Sequence, residues 1–464
     1  MKGFPSLSRS AIPLLLALFL APPLLADWES EVRLTYNPAH SWFTRNTSGI
    51  STAPPGILHV VWKDERDTSW QIYYKRSTDA GSAWSSDIRL TNARPDTSRD
   101  PSVAASGSTV HVVWERNWGW DDEIYYKRST DAGFNWSPDV RLTNSVNESQ
   151  SPSVAALDSI VHVVWHDNRN FNYEIYYKRS SNTGGTWSLD TRITNTTQGS
   201  INPCICVSDS VVHVAWIEGD GEFVNYKHSF DRGVTWDTIN TYISSTGYCS
   251  EPCISAFGSN VYILWNVWSW PRYLYEIRYN RSTDYGLSWI GDSYLSDGFN
   301  PYVCTSGTNV HTFWSYYGNN FYKLSSDAGA TWSDSVRFNS VQGGSSYPSA
   351  TIVDRGLHVV WRDGRDGNFE IYYKRNPTGN SSVEQKSEVT FRPSRAGFRA
   401  QPNPFVAFTV VPGHKRERFD LYDISGRLVG TYQGSRVGSD APPGVYFLKP
   451  EDLGAKPFRV VKLR

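Results

Sequence analysis

The sequence predicts an all-β chain, a seven-bladed β-propeller followed by a small β-sandwich. Three observations carry this. The phrase His-Val-Val-Trp, or a close variant, ends at Trp62, Trp114, Trp165, Trp216, Trp265, Trp314 and Trp361, at intervals of 47 to 52 residues. Most copies travel with further short phrases rich in β-branched and aromatic residues, so a unit holds four strands, the content of a propeller blade. No stretch shows the 3.6-residue apolar period of a helix.

The elements follow in chain order. Lys2 and Arg9 bring positive charge to the apolar run at 11–20, and Ala26 is a small residue suited to cleavage before Asp27. Residues 1–26 therefore read as a signal peptide, too short to anchor in a bilayer. No later run is long enough to span one, so the expectation is a secreted or cell-surface protein with no transmembrane segment. The formal net charge of −1 points to no nucleic acid. From Arg392 onward 13 Lys/Arg face 6 Asp/Glu. This basic tail reads as a solvated face, with contact to an anionic surface as the alternative.

Residues 27–375 form the repeat. Within a unit the order is Pro-Ser-Val-Ala (101–104), His-Val-Val-Trp (111–114), Glu-Ile-Tyr-Tyr-Lys-Arg (123–128) and Arg-Leu-Thr-Asn (141–144). The array begins with an orphan fourth strand at 31–35, and its last unit stops after a third, at Arg375. The orphan can complete the last sheet and close a ring without exposed edges. That gives seven blades, or six if one unit lies outside the ring.

The first strand should lie nearest the axis, where space is short, and it carries small residues: Ser102, Ala104, Ser153, Ala155 and Ser255. Cys204, Cys206, Cys253 and Cys304 take the same slots, which favours packing over a disulfide or metal site. Cys249 is off-register and could pair with a neighbour. His59, His111, His162, His213, His311 and His358 share one strand position, with Tyr262 in the remaining unit. Residues a blade apart cannot meet on one metal, so these read as buried and hydrogen-bonded. No metal and no cofactor is expected.

Between third and fourth strands stands Ser-x-Asp-x-Gly-x-x-Trp, with Asp79, Asp131, Asp231, Asp284 and Asp327, and once with Asn182 in place of Asp. A side-chain oxygen that accepts backbone N–H groups, a glycine free to take positive φ and a Trp that folds back make a self-supporting turn. These turns resemble the Asp boxes of sialidase-type propellers, the bacterial neuraminidase repeats, over about residues 28 to 375. The resemblance implies that the six box residues are structural and lie on the face away from an active site. It also implies what a sialidase site would need: three arginines for an acidic sugar, a Tyr nucleophile helped by Glu, and an acid/base Asp in the first blade after an Arg-Ile-Pro motif. This chain has no Arg-Ile-Pro, and Arg45-Asn46-Thr47 stands in about its place.

A catalytic residue belongs to one blade, whereas the pattern of Asp64, Arg66 and Asp67 recurs at Asp167 with Arg169 and at Asp363 with Arg365. The catalytic candidates are therefore few: Asp67, Arg45, Arg66, and Arg278, a cation standing where other units have Tyr. Two loops break the repeat. Residues 116–122 bring Trp118 and Trp120, and residues 266–273 bring Trp268, Trp270, Arg272 and Tyr273. Both lie on the face opposite the turns. Flat apolar rings beside polar groups suit sugars; covering the blade rim is the alternative role.

Residues 376–395, opening with Asn-Pro-Thr-Gly-Asn-Ser-Ser, read as a polar linker. Over 396–464 come four strand-and-turn phrases, at 402–405, 421–427, 443–448 and 460–463. In that order they resemble the C-terminal sorting domain of type IX secretion substrates. The resemblance implies an Ig-like β-sandwich that engages secretion machinery and carries no chemistry. The functional expectation is a propeller that binds an extracellular glycan or glycoprotein. The alternative is a glycoside hydrolase of the exo-sialidase kind.

Overall fold

The computed structural model describes residues 28–378, except 44–47, 54–55, 93–95, 119–120, 220, 245–246, 271 and 354–355, and then 409–410, 418–423, 427–433, 436–437, 441–450 and 458–462. The expected signal peptide, nearly all of the linker and the 402–405 phrase lie outside them. The chain divides into two units, Met1–Gln385 and Lys386–Arg464.

Every regular element among the described residues is a strand, and none is a helix that could cross a membrane. In the first unit each repeat becomes one antiparallel sheet. In the Trp165 sheet, Ser149–Leu157, Ile160–Asp167, Glu174–Ser180 and Thr191–Arg192 pair in sequence order, with Trp165 opposite Tyr176. The repeat Trp residues are each at most 1% exposed. At ~25 cal/mol per Å² over roughly 200 Å², each ring contributes about 5 kcal/mol, several times a net hydrogen bond. Burial of these rings between stacked sheets is therefore a large single contribution to the core.

The sheets pack on one another in chain order. Tyr74 of the Trp62 sheet shares a core with Val103, Val112 and Trp114 of the next. The orphan strand lies where expected: Val32 pairs with Tyr373 and Arg33 with Tyr372, so it completes the Trp361 sheet. Leu34, Phe43, Ile50 and Trp62 pack with Val360, Ile371 and Tyr373, so the last sheet also lies against the first. First strands of consecutive sheets meet one another, Ser345–Val353 meeting Ile50–Ala53, which makes them innermost. The first sheet differs in its inner edge, where two short strands, Ser41–Trp42 and Ile50–Ala53, both pair with Ile57–Asp64.

The six Ser-x-Asp/Asn turns share one geometry. Oδ1 of Asp79, Asp131, Asn182, Asp231, Asp284 and Asp327 accepts the backbone N–H four residues on, at 2.8 Å in every case. Asn182 does this as well as Asp does. Each turn also grips the preceding sheet. A Cβ on Gly133 would meet the Tyr74 hydroxyl at 1.8 Å, and the Trp136 ring stands edge-on to Tyr74 at 4.9 Å. Gly81 and Trp84 meet Tyr373 in the same way, across the closure.

The same tyrosines hold the repeat histidines. His59 Nδ1 lies 2.7 Å from Tyr74 Oη, and five equivalent pairs recur. Burial pushes His59, His111, His162 and His213 down to about 3. Their role is the buried, hydrogen-bonded one. The cysteines are all free thiols, Cys249 included. Cys253 Sγ accepts the Val303 N–H at 3.2 Å, as Ser102 Oγ accepts that of Val154 at 3.3 Å, so the thiol stands in for a hydroxyl. Burial pushes Cys253 up to about 12, which leaves it unreactive.

In the second unit Leu428–Gln433, Arg418–Asp423, Gly444–Pro450 and Phe458–Lys462 form one antiparallel sheet in that order. Phe419, Leu421, Ala441, Tyr446 and Leu448 form its core. Thr409–Val410 pairs with Arg436–Val437 in a separate ladder.

Candidate functional site

The sheet ends opposite the turns carry the asymmetry that a site requires. Pairing sets the residue after each repeat Trp beside one inner-strand residue. The pairs are Trp42 with Lys63, Arg99 with Glu115, Gln150 with His166, and Ile201 with Ile217. They continue as Ser250 with Asn266, Phe299 with Ser315, and Ser346 with Arg362. One register position thus holds a different pair in every sheet, all of them around the axis.

In the six sheets after the first, a bulge follows the inner-strand member. Asp100, Ser151, Asn202, Glu251, Asn300 and Tyr347 each take φ between 51° and 55°, and each precedes a proline. Proline lacks the ladder N–H, so the strand bulges there. A residue before proline resists helical dihedrals, and left-handed ones are sparse for any residue with a Cβ. The neighbouring sheet holds three of them. Ser151 N–H donates to Glu115 Oε2 at 3.3 Å, Asn202 N–H to His166 Nδ1 at 3.3 Å, and Asn300 N–H to Glu251 Oε2 at 3.0 Å.

The Trp62, Trp114 and Trp165 sheets make the charged part of this face. Lys63 Nζ lies 3.3 Å from Asp100, and Arg99 bridges Glu115 at 2.8 Å and Asp122 at 3.2 Å. Gln150 donates to Asp122 at 2.5 Å and its Oε1 lies 3.4 Å from His166 Nε2. Because a backbone N–H occupies His166 Nδ1, the ring proton sits on Nε2 and points at Gln150. Burial keeps His166 neutral, down at about 4. Burial and then the Asp100 carboxylate push Glu115 up to about 8, against the opposing pull of Arg99. This part is a saturated polar wall.

The Trp265, Trp314 and Trp361 sheets make the concave part. A cavity of about 520 Å³ is lined by Glu251, Asn266, Tyr275, Phe299, Asn300 and Arg362, among others. The Arg362 guanidinium lies 4.1 Å from the Trp42 ring centre, 4.5 Å from Tyr347 and 4.6 Å from Phe369, and its Nε donates to Ser346 Oγ at 2.7 Å. Glu251 Oε2 accepts Asn266 Nδ2 at 2.9 Å and Asn300 Nδ2 at 2.8 Å. Rings beside fixed donors and acceptors are what a sugar with its hydroxyls needs. Among the described residues no three His, Cys, Asp or Glu side chains gather as metal ligands would.

The residues singled out from the sequence fall in different places. Arg45 and Trp120 lie outside the described residues, as does the side chain of Trp118. Asp67 accepts the Tyr73 hydroxyl at 2.5 Å and pairs with Arg89 at 3.2 Å. Asp366 holds Tyr372 in the same way, and Asn170 pairs with Tyr176. Arg66 clasps Asp64 and Asp87 at 2.7 Å, as Arg169 clasps Asp167 and Asp190. These bonds are repeated parts of the frame. Arg278 pairs with Asp292 at 2.5 Å and Glu276 at 3.2 Å, on the outer strands, away from the axial pairs.

The two symmetry-breaking loops prove to be mostly strand. Thr109–Trp118 and Asn260–Ser269 run four residues past their Trp, whereas the second strands of the other sheets stop two past. Cross-strand pairs extend them, Trp118 with Asp121 and Trp268 with Tyr275. Trp270 and Tyr273 stand at the exposed tip, and Arg272 pairs with Glu276 at 3.2 Å and Asp297 at 2.8 Å. The blade-specific cation at the cavity is Arg362, which the loop-by-loop reading missed. Its signal was the residue after each Trp, which changes from unit to unit inside an otherwise constant phrase.

No family model matches the chain, and no curated protein matches it. Solved structures do. A mutant of Trypanosoma rangeli sialidase displaying trans-sialidase activity is similar at 13% identity with a TM-score of 0.44, over 75% of this chain and 58% of that one. The chain thus spans well under two thirds of that sialidase's length. A mutant of NanB sialidase from Streptococcus pneumoniae is similar at 12% identity and TM-score 0.46, over 75% and 70%. The polysaccharide lyase Uly1 is similar at 11% identity and TM-score 0.51, over 76% of this chain and 99% of that one. At such identity the likeness is one of fold, and the polysaccharide lyase carries it: the chain shares an all-β fold with that protein.

Proposed function

We propose that this protein is a sialidase-like, seven-bladed β-propeller that binds extracellular glycans on its axial face. The cavity beside Tyr275, Phe299 and Arg362 carries the reading. Counting each sheet of the first unit as a blade gives seven, and the contact of Leu34 and Trp62 with Tyr373 supports a complete ring. Trp268, Trp270, Arg272 and Tyr273 extend the binding face, and Trp118 and Trp120 remain ligand candidates from the sequence. The signal-peptide layout of residues 1–26 supports export to the medium or cell surface. The C-terminal phrases support residues 396–464 as an Ig-like sorting domain that meets secretion machinery, joined by the 376–395 linker to a propeller at 27–375.

Binding is preferred to turnover because Asp67 and Arg66 carry bonds repeated in other sheets. The test is a glycan array together with a fluorogenic sialoside, using the full chain. Glycan retention without turnover is the expected result. Turnover abolished by Asp67→Asn would overturn it in favour of an exo-sialidase hydrolase. Neither retention nor turnover would remove both readings.

A further inference from the structure

We infer that the ligand of the axial face is an extended polysaccharide, held over several sugar units from the rim of the Trp265 sheet into the axial cavity. This rests on the glycan reading above and says what kind of glycan fits. Successive strand residues face opposite sides of a sheet, so Asn266 and Trp268 share one side. Asn266 lines the cavity. Trp268 lies directly between Tyr248 and Tyr275 in neighbouring strands, which sets all three on that side. Tyr275 also lines the cavity.

The rings form one connected row. Tyr275 meets Trp268 edge-on at 4.9 Å, Trp268 meets Trp270 at 6.3 Å, and Trp270 meets Tyr248 at 6.2 Å. Trp270 is 59% exposed and Tyr248 57%. Leaving such rings in water is unfavourable, and a connected exposed group marks a binding surface. A single terminal sugar would sit within the cavity and leave this row bare. A chain of sugars would cover both.

The concave, hydrogen-bonded polar lining favours a sugar over a protein partner. Glu251, Asn266 and Asn300 are held by one another at 2.8–3.0 Å and present fixed polar groups beside the rings. Protein interfaces centre instead on a closely packed apolar core.

The experiment measures affinity of the full chain for polygalacturonate, alginate, xylan and laminarin, each whole and cut to defined lengths. For at least one of them, affinity should rise roughly tenfold or more from disaccharide to octasaccharide. Trp270→Ala and Tyr248→Ala should each remove most of that gain while leaving the melting temperature in place. Leu189→Ser, exposed in the turn region of the Trp165 sheet, should leave it intact. Binding that ignores chain length, or a length gain untouched by both aromatic variants, overturns the extended-chain inference and leaves the glycan reading standing. No retention of any of the four polymers, or of any array glycan, overturns both.

Discussion

Glycine and histidine carry the sharpest tests among single residues. Gly133 needs its missing Cβ twice, for a φ of 83° and for the Tyr74 hydroxyl that would lie 1.8 Å away. Gly107 needs it once, since its φ is 55° but no atom lies within 4 Å of a built Cβ. Urea denaturation should show Gly133→Ala losing about 3 kcal/mol or more, and Gly107→Ala about 1 kcal/mol. Equal losses would mean that the turn does not clasp the neighbouring sheet. The histidines set the pH dependence. Folded, His59, His111, His162 and His213 are held by burial at about 3, whereas the unfolded chain takes up its protons near ~6.5. The unfolded state therefore binds more protons below ~6.5, and stability falls as pH drops from there towards about 3, by up to ~1.4 kcal/mol per pH unit for each histidine. Urea midpoints at pH 7.5 and 5 should differ strongly, and His111→Gln should lessen the difference.

The closing strand is the element on which the rest depends. Val32–Arg33 is only two residues long, yet Leu34 beside it is buried between the last sheet and the first, and Arg33 pairs with Glu370 at 2.7 Å. Deleting residues 27–35 should lower the melting temperature by roughly 10 °C or more and bare an edge that self-associates, visible in sedimentation. An unchanged, monomeric protein would show that the ring does not need it. This element was legible in the sequence because its phrase repeats the fourth strand of the other units. The raised hairpins were not. Trp118 and Trp268 read as loop residues, since their strand character comes from Asp121 and Tyr275 across the ladder. The φ-positive bulges were half legible, because a proline marks each of the six, yet the residues that take the positive φ have no shared type.

Both strands that close the ring lie inside the first unit, so residues 27–385 expressed alone should keep its thermal midpoint and its glycan retention. Loss of retention would mean that residues 27–385 do not suffice for binding. Within the ring the frame is redundant and the axial face is not. Six turns share one 2.8 Å bond, six His–Tyr pairs one contact, and the Arg66 clasp recurs at Arg169 and Arg365. Function has room to vary only where the repeat leaves a position unconstrained.

The sequence by itself determined the four-strand unit and its length, the turn chemistry, the closing strand and the structural duty of the histidines. Each of these is a local rule applied again in every unit, and repetition makes a local rule visible. Only the tertiary structure assembled the candidate site. Lys63, Glu115, His166, Asn266 and Arg362 stand about fifty or a hundred residues apart in the chain. Their place on one face depends on the sheets packing so that one register position of each lies at a common axis. The same packing set Arg362 among three rings drawn from the last sheet and the first, a juxtaposition that no spacing along the chain encodes.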